Sequence, residues 1–174
     1  MSAVTDTSVN HNFLSPLNFK FTIKKAPTVN FFIQETMIPG LSVDATSQPN
    51  PMVRIPLSGE HIRYEDYEFS FKVDEDLENW LEIYNWLIGD GKLTYEGYKV
   101  LQDKPIYSGE GLKSDISIIT LSGTKMPNME IVLHDAFPVR LSSIKFTTTD
   151  SDVDYITASS AFKYTYYDIR KLVI

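Results

Sequence analysis

Residues 64–87, YEDYEFSFKVDEDLENWLEIYNWL, change their hydrophobic period halfway along, and this change restricts the possible folds more than anything else in the chain. In YEFSFKV, Tyr67, Phe69, Phe71 and Val73 alternate with Glu68, Ser70 and Lys72. That period of two is what a half-buried strand requires. From Leu77 onward the spacing becomes three and four. Leu77, Trp80, Leu81, Tyr84, Leu87 and Ile88 then form one apolar stripe, because such positions share a face of a helix. The pattern predicts a strand followed by a flanking helix over about 76–88, packed on the sheet through Leu77, Trp80, Leu81, Tyr84 and Leu87. Gly89 is its natural stop.

Between strand and helix lie three consecutive acids, Asp74, Glu75 and Asp76. A hard cation needs oxygens converging from a loop at alternating positions, with a glycine that lets the chain wrap. Consecutive acids without a glycine do not provide that. Asp74 or Asp76 is better placed to cap the helix by accepting from its first N–H groups, with the other acids at the positive end of the helix dipole.

The rest of the chain is rich in strand patterns. Phe19, Phe21 and Ile23 alternate with Lys20, Thr22 and Lys24, and VNFFIQETMIPG continues with Val29, Phe31 and Ile33 in phase. Phe32 points the other way, as a second packing surface or an exposed contact. DATSQPNP (44–51) has loop chemistry, and Pro56 in the extended piece after it calls for an edge or a bulge. After residue 113 come SDISIITLSG, MEIVLHDAF, VRLSSIKFTT and DYITASSAFKYTYYDIRKL, separated by turn residues and by Pro138. Aromatic residues make up 13% of the chain, and their position in alternating runs favours sheet. The expected class is mainly β (α+β): a small antiparallel β-barrel or sandwich with one flanking helix. Residues 1–12 read as a polar, flexible arm, and 13–174 as a single β domain. The long loop 89–113 carries Tyr95, Tyr98 and Tyr107, which, with Phe32, are candidates for contacts with other chains.

Little in the sequence points to catalysis, a cofactor or a metal. Without cysteine there is no thiolate nucleophile, disulfide or Cys-ligated metal. His11, His61 and His134 lack the HxH or HxxxH spacing of metal ligands. Gly89, Gly91 and Gly97 follow a helix, whereas a phosphate-binding loop precedes one. A net charge of −7 opposes a grip on nucleic acid, and no apolar run reaches the roughly 20 residues needed to span a bilayer.

Two blocks carry a resemblance: VRIPLSGEHIRYEDYEFSFKVDEDLENWLEIYNWL, and AFPVRLSSIKFTTTDSDVDYITASSAFKYTYYD in the last third. In their order along the chain they resemble the tail tube proteins of contractile-tailed bacteriophages and the related tube-initiating proteins of the baseplate. The resemblance covers most of the chain from Phe13 to Ile169. It implies a non-enzymatic virion protein, assembled in the host cytoplasm, that forms stacked homo-hexameric rings around a channel. The implied partners are tail sheath, baseplate and tape-measure proteins, with DNA passing through the lumen without specific binding. A tube initiator or neck-adjacent component of the same fold, or a β-sandwich that binds a ligand, are the alternatives.

Overall fold

The computed structural model describes residues 13–92, 95–96, 99, 111–148 and 155–172. Among these residues nine strands and two helices follow one another as β1 (Phe19–Ile23), α1 (Val29–Phe32), β2 (Ile33–Thr36), β3 (Leu41–Gln48), β4 (Ile55–Tyr64), β5 (Tyr67–Lys72), α2 (Glu78–Lys92), β6 (Ser114–Leu121), β7 (Pro127–Leu141), β8 (Thr157–Lys163) and β9 (Tyr166–Lys171). The class is mainly β and every strand pairing is antiparallel. The arrangement is sandwich-like, and among the described residues the strands do not close into a barrel.

Strand β7 joins the two layers. Its first half pairs with β6 on one side and β9 on the other, and β1 continues that sheet beyond β6. Its second half pairs with β8, followed by β5 and β2. The change of sheet occurs at Asp135, whose φ is 59°. Aspartate tolerates this left-handed backbone because its short side chain bonds locally. Here the Asp135 N–H donates to Asp115 Oδ1 at 3.2 Å, and its own carboxylate accepts from Thr165 Oγ1 at 3.2 Å. Bulges are the usual device at such corners. The strand therefore runs on through Pro138, where the sequence predicts a break. A second register shift between Pro138 and Arg140 accommodates the proline. Residues 142–148, predicted as strand, are irregular.

The core lies between the layers and follows the predicted alternation. Phe21 and Ile23 of β1, Tyr67, Phe69 and Phe71 of β5, and Ile116 and Ile118 of β6 are all buried in it. Phe69 touches four rings, with centroids 5.1–6.0 Å away. Tilted aromatic contacts of this kind add about 0.5–1.5 kcal/mol each beyond the area they bury.

Helix α2 uses a different face from the one predicted. Ile83 and Trp86 enter the core together with the fully buried Asn79, whereas Leu81 and Tyr84 are exposed, Leu87 is half-buried, and Trp80, also half-buried, packs against the core as expected. The buried face is turned by one residue, about 100°, from the predicted stripe. Trp86 settles the matter: its ring meets Phe162 edge-on at 5.3 Å and its Nε1–H donates to the Leu112 carbonyl at 2.8 Å. Leu77 lies before the helix rather than on it.

The start of the helix also differs from prediction. The Leu77 carbonyl accepts from the Leu81 N–H at 2.9 Å, which puts Leu77, not Asp74 or Asp76, in the N-cap position. Asn79 holds the joint. Its Nδ2–H donates to the Lys72 carbonyl at 2.7 Å and its Oδ1 accepts from the Asp74 N–H at 3.3 Å, tying strand end to helix start. At the other end, Gly89 interrupts the helix with φ 58° and ψ 136°, a conformation open to glycine and costly for other residues.

Candidate assembly surface

The groups with nowhere to go inside one chain are strand edges. Among the described residues β1 pairs only with β6, β9 only with β7, and β2 only with β5, so each has an outer side without a partner strand; on β1 the N–H and carbonyl of Ile23 are taken by the Asn30 side-chain amide, at 2.8 and 3.2 Å. An open edge is a template for another strand.

The β3–β4 hairpin is a second unpartnered element. It forms a two-stranded sheet of its own, with all eight residues of β3 exposed. The strand of β3 extends through Gln48, so most of the segment predicted as loop is hairpin. Pro56 is accommodated because both strands of a hairpin are edges. Leu41 faces Tyr64 and Val43 faces Ile62 across the ladder. Met52, at the turn, is 92% exposed. Isolated two-stranded hairpins are marginal in water, and contiguous exposed apolar side chains mark contact surfaces. The ion pair Arg63–Asp44, 2.6 Å apart and exposed, adds little to its stability.

A tyrosine cluster holds the hairpin at its base. Tyr64 packs edge-on against Tyr164 at 5.7 Å and against Tyr167 at 5.8 Å. The Tyr164 hydroxyl donates to the Glu65 carbonyl at 3.0 Å, and the Tyr167 hydroxyl to the Pro39 carbonyl at 3.4 Å. Burial first, then the neighbouring Tyr167 and Tyr64 and the carboxylates of Asp66 and Glu65, push the Tyr164 phenol well above its ordinary pKa. Tyr67 is pushed the same way by burial, partly offset by its hydrogen bond to Thr36.

The third feature is an open groove of about 470 Å³ between α2 and the end of β7. Trp80, Tyr84 and Leu87, predicted to pack the helix on the sheet, line it opposite Val139–Ser143. Trp80 and Tyr84 stack at 5.2 Å, and Trp80 Nε1–H donates to the Ser142 carbonyl at 3.3 Å.

Of the predicted contact residues, Tyr95 is 82% exposed, while Tyr98 and Tyr107 lie outside the described residues, as do 1–12 and most of 89–113. Phe32 is half-buried and its neighbour Phe31 is 86% exposed. Residues 29–32 form a helical turn rather than a strand, and this reverses which phenylalanine points outward. Among the described residues no group of acids and histidines could hold a metal ion, and no helix is long and apolar enough to cross a membrane. His134, which lacks metal-ligand spacing in the sequence, lies between Asp115 (3.6 Å) and Asp168 (3.4 Å) at the β6–β7–β9 junction. No spacing rule reveals that cluster, since its members come from three strands.

No family model matches the sequence. The chain is 23% identical over 167 residues to the tail tube terminator protein of Enterobacteria phage T4, covering 92% of this chain and 90% of that protein. In sequence, then, the chain is similar over nearly its whole length to a phage tail tube terminator. Solved structures agree on the fold. The tube-terminating cap of the anti-feeding prophage superposes with a TM-score of 0.59 at 14% identity, over 99% of this chain and all of that one. The sheath/tube terminator of an extracellular contractile injection system (PVC) gives 0.56 at 13% identity, over 94% of this chain and 99% of that one. A chain of the PVC sheath–tube complex gives 0.57 at 12% identity, over 99% and 100%. The superpositions cover these chains almost end to end.

Proposed function

We propose that this chain is a structural component of a contractile tail tube and occupies the end of that tube. Six copies would close into a ring by joining strand edges, and the ring would stack on the last ring of the tube. The full-length likeness to the T4 tail tube terminator carries the terminal position. The unpaired edges of β1, β2 and β9 support ring closure, because a heterologous contact that closes removes every edge at once. The exposed hairpin, Phe31, Phe32 and Tyr95, and on the sequence reading Tyr98, Tyr107 and the 1–12 arm, would supply contacts between rings or with sheath, baseplate and tape-measure proteins. A net charge of −7 suits a channel wall that repels phosphates and lets DNA pass without sticking. On this reading the protein resides in the virion tail, is assembled in the host cytoplasm, and performs no catalysis.

Immunogold labelling of tails carrying a tagged copy tests the position. Gold at one end of each tube, on the side away from the baseplate, is the expected result. Gold along the whole tube would make it the main tube subunit, gold at the baseplate end an initiator, and tails without gold would remove the tail role altogether.

A further inference from the structure

We propose that Tyr64, Tyr164 and Tyr167 form a mechanical joint that couples the β3–β4 hairpin to the edge strand β9, so that ordering either one orders the other. The two elements share no backbone hydrogen bond. β3 and β4 pair with each other and β9 pairs with β7. They meet at these three rings. The hairpin has two legs, and each is held by its own hydroxyl. Pro39, just before β3, receives the Tyr167 hydroxyl, and Glu65, just after β4, receives that of Tyr164. Pro39 is itself buried, and Glu65 N–H donates to the Gly40 carbonyl at 3.2 Å, so the base is closed between the two anchor points. Tyr164 and Tyr167 stand on either side of the first residue of β9, and Tyr166 opens the ladder opposite His134.

The Pro39 leg therefore cannot swing unless Tyr167 of β9 gives way, and the Glu65 leg is held by Tyr164 in the two-residue connection from β8 to β9. Peeling β9 from β7 would release the first leg and loosen the connection that carries the second. Two elements that share a contact influence each other reciprocally, because whatever orders one side of the contact favours order on the other. A neighbour that captures the hairpin would stiffen β9, and one that pairs with the free edge of β9 would fix the direction of the hairpin. The coupling is a property of one chain and does not depend on ring closure or on position in a tail.

Amide hydrogen exchange on the full chain tests it with three variants. The double variant Tyr164→Phe/Tyr167→Phe keeps the rings and removes the hydroxyls. Exchange in β3–β4 and in β9 should quicken together by roughly three- to tenfold, the effect of losing net hydrogen bonds, while β5 and β6 hold their rates. Arg170→Pro removes an N–H that faces β7 and so interrupts the β7–β9 ladder without touching the hairpin, and the hairpin should nonetheless exchange faster. Met52→Ser at the hairpin turn should change neither segment. A hairpin unmoved by Arg170→Pro, a β9 unmoved by the double variant, or an equal acceleration in β5 and β6 would each overturn the joint. Should Arg170→Pro not fold, the double variant decides alone.

Discussion

Asn79 shows how one residue can do what three neighbours were expected to do. The acids at 74–76 have the composition of a helix cap, yet the buried amide of Asn79 makes the bonds that fix the joint. Losing it would leave the Lys72 carbonyl and the Asp74 N–H without partners. Asn79→Ala should therefore cost about 1–3 kcal/mol in urea unfolding, whereas Asp76→Ala should stay within about 0.5 kcal/mol, as expected for an exposed residue with no special role. A loss near 1 kcal/mol for Asp76→Ala would restore the capping role to that acid. The two perturbed tyrosines give a pH dependence. Both phenols are raised above 10.0, so the folded state holds these protons more tightly than the unfolded chain does. Their contribution is complete below pH 10 and is lost as the pH climbs beyond it. Urea midpoints should fall above about pH 10, and Tyr67→Phe should flatten that fall; an unchanged slope would count against it.

At the scale of elements, alternation was the most legible feature, because a strand packed on one face records that face in every second residue. β1, β5 and β6 follow it closely. The helix was legible as a helix but not in its orientation. Ile83 and Trp86 are as apolar as Trp80 and Tyr84, and only the neighbours in space, Phe162 and the Leu112 carbonyl, select between the two faces. Ile83→Ala should accordingly cost about 2–5 kcal/mol, and Leu81→Ala far less, by the same unfolding measurement. The hairpin was hidden because its exposed strands have no buried face to impress a pattern, and prolines at 49 and 51 read as loop. Its geometry leaves one clear requirement. A Cβ on Gly59 would lie 1.9 Å from the Asp44 carbonyl oxygen at the bulge. Gly59→Val should abolish protected amides in β3 and β4 while leaving those of β6 in place; retained protection in the hairpin would contradict that close approach.

For the molecule as a whole, the sequence indicated a β-rich chain with more edge than chemistry, and the structure shows where the edges are. It could not show that β7 serves both layers, because the turn at Asp135 depends on Asp115 and Thr165 from other segments. Nor could it show where the open edges lie, since an unpaired edge is defined by the strands that are not beside it. The central claim is that these edges are satisfied by copies of the same chain. Native mass spectrometry with negative-stain electron microscopy, across a concentration series and with tail tubes added, measures this most directly. The account predicts hexamers and six-fold rings, appearing at high concentration or on tube ends. A protein that remains monomeric at every concentration and ignores the tubes would contradict it.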